Sequence, residues 1–252
     1  MKIKYLLILF IGISFFAQSQ ETLTKARFDK HYFKSYLLDT RDIAISPIKW
    51  DKKEWIGFGG VVATTAVLMT QDMSINNFFL RNHTDGMDNF SVKFLEPWGS
   101  GEYSMGSMAI LYASGLIFKN QRSKKVAMQA AKGYLISGLY VQIPKYTINR
   151  KRPYHEDPPN PYKYIGPAGG NYYKSMPSGH TTSIFTVATI VASEYHDKLW
   201  VQILAYSIAT MSAFSRTYDN VHWSSDIFVG AAFGFAMGKL MVKSNNWGIK
   251  VN

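Results

Sequence analysis

Six apolar stretches dominate this chain and leave it few ways to fold. They run from Trp55 to Met69, Met105 to Phe118, Val126 to Ile143, Thr182 to Ser193, Trp200 to Phe214 and Ile227 to Val242. Each is 12 to 18 residues long, longer than an ordinary strand and enough for about three to five helical turns. None alternates apolar with polar residues, and no paired turns of the hairpin kind separate them. A chain of this pattern buries apolar stripes helix against helix. The expected fold is therefore all-α, a bundle of about six core helices. Asp51 opens the first stretch. The polar residues Thr70 to His83 read as a connection, and a short helix is expected around Met87 to Leu95, closed by Pro97 and Gly99. Residues 20 to 50 are mixed and polar, an exposed arm or short helices with Tyr32, Phe33, Tyr36 and Leu37 as possible anchors.

The N-terminus reads as a leader. Lys2 and Lys4 precede an apolar run from Tyr5 to Phe16, and small residues at Ala17 and Ser19 point to cleavage before Gln20. The organisation expected is a signal peptide at 1–19, an arm and first helices at 20–100, a core at 101–245 and a polar tail at 246–252. Export fits a chain without cysteine, which excludes disulfides, a thiol nucleophile and cysteine-rich metal sites. The formal charge is +11, a balance suited to phosphate esters, anionic lipid surfaces or nucleic acid. No nucleic-acid module, repeat or low-complexity tract accompanies it, so nucleic acid is not the expected partner.

Three short stretches carry chemistry. In Ser215 to Asp226, SRTYDNVHWSSD, Arg216 offers a fork of donors suited to an oxyanion, and His222 and Asp226 stand four apart, one turn on a helix. A carboxylate beside an imidazole fixes its tautomer and raises its basicity. The second stretch, Pro177-Ser178-Gly179-His180, precedes an apolar run. Ser178 reads as a helix N-cap, Gly179 lets an anion approach the backbone, and His180 stands at the rim. In the third, Lys145 to Pro153 (KYTINRKRP), Lys145 and Arg152 are seven apart, two turns on one helical face, with Pro153 expected to end that helix near Arg152.

Lys-x6-Arg-Pro, then Pro-Ser-Gly-His, then Ser-Arg-x5-His-x3-Asp resembles the phosphatidic acid phosphatase type 2 family, whose superfamily also holds bacterial class A acid phosphatases and vanadium-dependent haloperoxidases. The motif positions match from Lys145 to Asp226, and residues 1 to about 100 carry no motif. Read physically, Lys145, Arg152, Arg216 and the N–H groups near Ser178 and Gly179 would hold a phosphoryl group. The resemblance implies that His222 is a nucleophile forming a phosphohistidine, that Asp226 holds its other ring nitrogen, and that His180 protonates the leaving alkoxide and then activates water. It implies no metal and no cofactor, with vanadate an inhibitor. In the alternative reaction class, a haloperoxidase, vanadate would be the cofactor. A third reading is a non-catalytic module for anions or lipid head groups. The substrate class expected is phosphomonoesters or pyrophosphates of lipids, with soluble phosphomonoesters as the alternative.

Tyr154 to Met176, rich in Pro, Gly and aromatics, joins two of the motifs and should wall the pocket, with Tyr172 and Tyr173 as possible substrate contacts. His155 and Glu156 are too few to make a metal site. The apolar stretches fall short of a typical bilayer span, and the expectation is an exported, periplasmic or cell-envelope helical domain lying on a membrane, with a polytopic protein as the alternative.

Overall fold

A computed structural model describes residues 26–167 and 173–244. The leader 1–19, the tail 246–252 and Tyr172 lie outside the described residues. The described chain is a helical bundle, with one isolated antiparallel bridge, Arg150 to Tyr164, as its only β contact. We label the helices α1 (Lys30–Ile45), α2 (Lys52–Arg81), α3 (Asp85–Phe90), α4 (Glu96–Ser100), α5 (Glu102–Ile117), α6 (Gln121–Tyr140), α7 (Gln142–Ile148), α8 (Gly179–Glu194), α9 (Leu199–Tyr218) and α10 (Ser224–Lys243).

The six apolar stretches lie in α2, α5, α6 with α7, α8, α9 and α10, but several boundaries differ from expectation. Of the exposed arm or short helices expected before residue 50, residues 30–45 form a helix, four turns long, capped by Asp29 and anchored by Tyr32, whose hydroxyl donates to the Met128 carbonyl at 3.0 Å. Phe33 and Leu37 are exposed instead. The polar stretch 70–81 continues α2. That helix starts in a capping box between Asp51 and Glu54, and its polar residues Asp72 and Asn76 face inward and are buried. At Asp72, buried partners override the hydropathy pattern. Pro97 does not close a helix: it lies in the first turn of α4, which follows directly on a π-helical turn, Ser91–Leu95, that continues α3.

The centre of the bundle is α8. Its residues Thr181, Thr182, Ile184, Thr186, Thr189 and Ile190 are buried against α6, α9 and α10. Close approach of α10 depends on Gly230, Gly234 and Gly238, spaced four apart along the contact. A methyl at Gly230 would stand 2.7 Å from the Ser178 carbonyl oxygen, and one at Gly238 would stand 2.5 Å from Thr189 Cβ. The Thr186 hydroxyl donates across this seam to the Gly234 carbonyl at 3.2 Å. The seam brings the N-terminal ends of α8 and α10 together, and Ser178 N donates to the Asp226 carbonyl at 3.0 Å. Two of the sequence motifs are thereby fixed side by side.

The outer faces of the long helices are apolar. On α2, Trp55, Ile56, Phe58, Val62 and Val67 are exposed; on α9, Leu199, Trp200, Ile203, Met211 and Phe214 are. Among the described residues, one helix, α10, is long and apolar enough to cross a membrane, and 44% of its apolar 18-residue window is buried inside the bundle.

Candidate active site

The third motif reaches this end of the bundle through α7, which carries Lys145 and stops at Ile148. Asn149 ends it in the left-handed conformation, φ 47°, a backbone state that asparagine tolerates well. Its side chain holds the turn, donating to the Gly166 carbonyl at 3.1 Å and accepting from Tyr173 N at 2.9 Å. Lys145 and Arg152 therefore do not share a helical face. The chain reverses between them, well before Pro153, and both side chains nonetheless line one cavity.

His222 and Asp226 also meet without the helix expected between them. His222 precedes α10, and Asp226 lies in its first turn, where its Oδ2 accepts from Trp223 N at 3.0 Å. The turn after α9, with Asn220 at φ 58°, brings the N–H groups of Val221 and His222 back onto the Arg216 carbonyl at 3.1 and 3.2 Å. Arg216 and His222 are thus locked to each other by backbone. Asp226 Oδ2 stands 3.6 Å from His222 Nδ1, and the Ser175 hydroxyl lies beside both, 2.5 Å from Oδ2 and 3.4 Å from Nδ1. A proton on Nδ1 is oriented by these groups, and Nε2, with its lone pair, remains for the cavity. Burial holds the His222 imidazole down at about 3, despite the opposing pull of Asp226, so the ring is neutral at ordinary pH.

The cavity is about 370 Å³ and is bounded by Lys145, Arg152, Arg216, Gly179, His180 and His222, with Tyr134, Gly138 and Val141 of the α6–α7 region on one wall. Its N-cap is as expected: Ser178 Oγ accepts from Thr181 N at 3.4 Å, and α8 points its N-terminus at the cavity. A side chain at Gly179 would come within 3.3 Å of Lys145 Cε, so glycine leaves room for the lysine to cross the helix end. Each cation of the cradle has an internal partner. Lys145 Nζ donates to the Lys174 carbonyl at 2.6 Å, Arg152 Nε to the Tyr173 carbonyl at 3.3 Å, and Arg216 pairs with Asp219. His180 Nε2 lies 3.1 Å from Glu96 Oε1. Burial, reinforced by Arg152, lowers the Lys145 ammonium to about 7.

Of the residues singled out by sequence, Lys145, Arg152, Gly179, His180, Arg216 and His222 line the cavity, while Ser178 and Asp226 stand behind it. Tyr173 is different. Its ring packs on His155 at 4.8 Å and under Lys151 Nζ at 4.9 Å, and its carbonyl accepts from Arg152; its neighbour Lys174 borders the cavity, with its ammonium donating to the Tyr146 hydroxyl at 2.7 Å. Sequence reasoning missed Ser175, Arg150, Asp72 and Glu96. Arg150 was visible as a third cation inside the basic run, and Asp72 as a carboxylate in an otherwise helical stretch. Neither spacing nor composition pointed to Glu96.

Comparison with known proteins finds a family and a fold. Residues 126–250 match the PAP2 superfamily. A lipid A 1-phosphatase of Porphyromonas gingivalis is 34% identical over 137 residues, 53% of this chain and 27% of that protein. An undecaprenyl-diphosphatase of Sulfolobus acidocaldarius is 29% identical over 160 residues, 64% of this chain and 72% of that one. The chain thus spans about a quarter of the first relative's length and most of the second's. Among solved structures, Aquifex aeolicus LpxE superposes with a TM-score of 0.52 at 21% identity, covering 69% of this chain and 95% of that one, a likeness of fold.

Proposed function

Since residues 126–250 belong to the PAP2 superfamily, we propose that the protein is a phosphatase that removes phosphate from lipid phosphomonoesters or pyrophosphates through a phosphohistidine intermediate. The observation that carries this reading is the convergence of Lys145, Arg152 and Arg216 on one cavity with His180 and a neutral, oriented His222. The three cations take the equatorial oxygens of the phosphoryl group, and the N-terminus of α8 adds its N–H groups. The lone pair on His222 Nε2 forms the N–P bond as the P–O bond to the leaving group breaks. His180 gives the departing alkoxide its proton. The same histidine, now neutral, takes a proton from water as that water attacks phosphorus and the N–P bond breaks.

The similarity to lipid A 1-phosphatase and undecaprenyl-diphosphatase supports a lipid substrate, and so does the apolar outer face of α2 and α9. Asp72, at the level of the site, lies 20 residues from the start of α2, about 30 Å along the axis at 1.5 Å per residue, which matches the hydrocarbon thickness of a bilayer. Exposed apolar faces of this extent fit a protein seated in lipid, with the cavity near one membrane surface.

Purified protein in detergent with a chelator should release phosphate from a short-chain lipid phosphate and from a polyprenyl pyrophosphate, and vanadate should block it. His222→Ala should stay folded and lose turnover by several orders of magnitude. Trapping with labelled substrate should give an acid-labile, base-stable phosphoprotein, absent from that variant. Near-normal turnover by His222→Ala would sink the mechanism. Peroxide-dependent halide oxidation by the vanadate-loaded protein, with no phosphate release, would replace the phosphatase by the haloperoxidase.

A further inference from the structure

Behind His222, on the side away from the cavity, side chains from three separate segments close into a network that substrate does not touch. Arg150 is completely buried. Its Nη1 donates to Asp226 Oδ1 and Ser225 Oγ, both at 2.7 Å, its Nη2 to Asp72 Oδ2 at 2.7 Å, and its Nε to the Pro161 carbonyl at 2.9 Å. Asp72, also completely buried, comes from the C-terminal third of α2. It accepts from Ser225 N at 2.9 Å, Ser225 Oγ at 2.5 Å and Ser224 Oγ at 2.6 Å, and so holds the first turn of α10 as well as Arg150. Neither residue is one of the defining positions of the three motifs, and α2 lies outside the matched domain.

We propose that Asp72 and Arg150 are positioning residues for His222. Arg150 fixes Oδ1 of Asp226, which leaves Oδ2 facing Ser175 and His222 Nδ1 and so keeps Nε2 aimed at the cavity. Asp72 does a second job through charge. The group Asp72, Arg150 and Asp226 holds two anions and one cation, a buried net charge of −1. When Nε2 bonds to phosphorus with Nδ1 still protonated, the ring becomes positive, and this net negative charge is what faces it. With Asp72 neutral, the cluster has no net charge and Arg150 draws fully on Asp226. The stabilisation so lost belongs to the phosphorylated histidine and to the transition state leading to it, not to the bound substrate. The inference rests on His222 being the nucleophile.

Asp72→Asn in the full chain tests it, beside a matched control, Asp39→Asn. Asp39 pairs with Lys132 at 2.5 Å, is as deeply buried, and lies between α1 and α6 away from the site. Both variants should lose comparable thermal stability. Only Asp72→Asn should lower kcat, on the order of 10²-fold with KM within about twofold, and only it should move the nitrogen-15 shifts of the His222 ring. Should Asp72→Asn not fold, Ser225→Ala, which removes the hydroxyl shared by Asp72 and Arg150, takes its place with an expected loss of about tenfold in kcat. Equal kcat in the test and control variants, or unchanged His222 nitrogen shifts, would overturn the proposal. Failure of the wild-type protein to release phosphate would instead count against the enzymatic reading. The ring shifts would then decide the positioning role by themselves.

Discussion

Arg150 and Arg152 stand two residues apart in one basic run, and the fold sets them to opposite tasks. Arg150 turns inward behind His222, fully enclosed, with carboxylates of α2 and α10 on its two ends. Arg152 turns outward onto the cavity, partly exposed, with one long contact of 3.3 Å to a loop carbonyl. The rear cluster is saturated with internal partners. The front cradle is held by partners that a phosphate would replace, the carbonyls of Tyr173 and Lys174 and the carboxylate of Asp219. On the proposed reading, the front cations exchange partners as an anion comes and goes, and the support of His222 stays fixed. A regular strand would set residues 150 and 152 on one face; here pairing is confined to the single bridge Arg150–Tyr164, and the chain enters the 3-10 turn Pro153–His155 straight after Arg152, so the two side chains part.

The strongest way to break this comparison is to remove each guanidinium in turn. Arg150→Met leaves Asp72 and Asp226 buried without their cation, and a buried pair broken on one side costs about 3–5 kcal/mol. Chemical denaturation should show that loss, with activity falling alongside. Arg152→Met should change stability by no more than about 0.5 kcal/mol and should lower kcat/KM on the order of 10²- to 10³-fold, as the loss of one oxyanion donor does elsewhere. Equal destabilisation by the two substitutions would mean that they form one structural patch, and the division between rear and front would fail.

The same contrast explains what could be read in the sequence. The cradle residues were legible because their chemistry is local: a basic pair before a proline, a Ser-Gly-His at a helix start, an Arg and a His separated by a turn. The bundle was legible because apolar stretches of helical length have few alternatives. The rear cluster was not, since Asp72 meets Arg150 across 78 residues and Ser225 across 153. Glu96 likewise reaches His180 across 84 residues from a short helix with no motif of its own. No periodicity reports such pairings. Local geometry was legible at the Ser178 cap but not at two other places: the helical face expected for Lys145 and Arg152 is interrupted by Asn149, and His222 lies outside the helix that carries Asp226. The functional residues still converge, because the α8–α10 seam and the loop after α7 impose the convergence that regular helices were expected to supply.

A smaller effect sharpens the picture of the cradle. Lys145 has its ammonium lowered to about 7, first by burial and then by the neighbouring charge of Arg152. In the empty site it is therefore charged below that value and neutral above it. An anion in the cavity favours the charged form, so binding above about pH 7 must take up a proton, and apparent affinity should fall by up to about tenfold per pH unit there. Sulfate is the clean probe, since its own charge is constant across this range and the slope then belongs to the protein. Titration calorimetry from pH 6 to 9 should show sulfate affinity flat below about 7 and declining above it, with proton uptake appearing on the declining limb. Lys145→Arg, whose guanidinium keeps its charge throughout, should remove the decline even if the absolute affinity drops. A decline that survives in Lys145→Arg would place the titrating group elsewhere in the cradle. Arg152 would then be the only cation of the Lys145–Pro153 stretch needed to hold the anion, and Lys145, fixed to the Lys174 carbonyl at 2.6 Å, would belong with the supporting structure rather than the exchanging front.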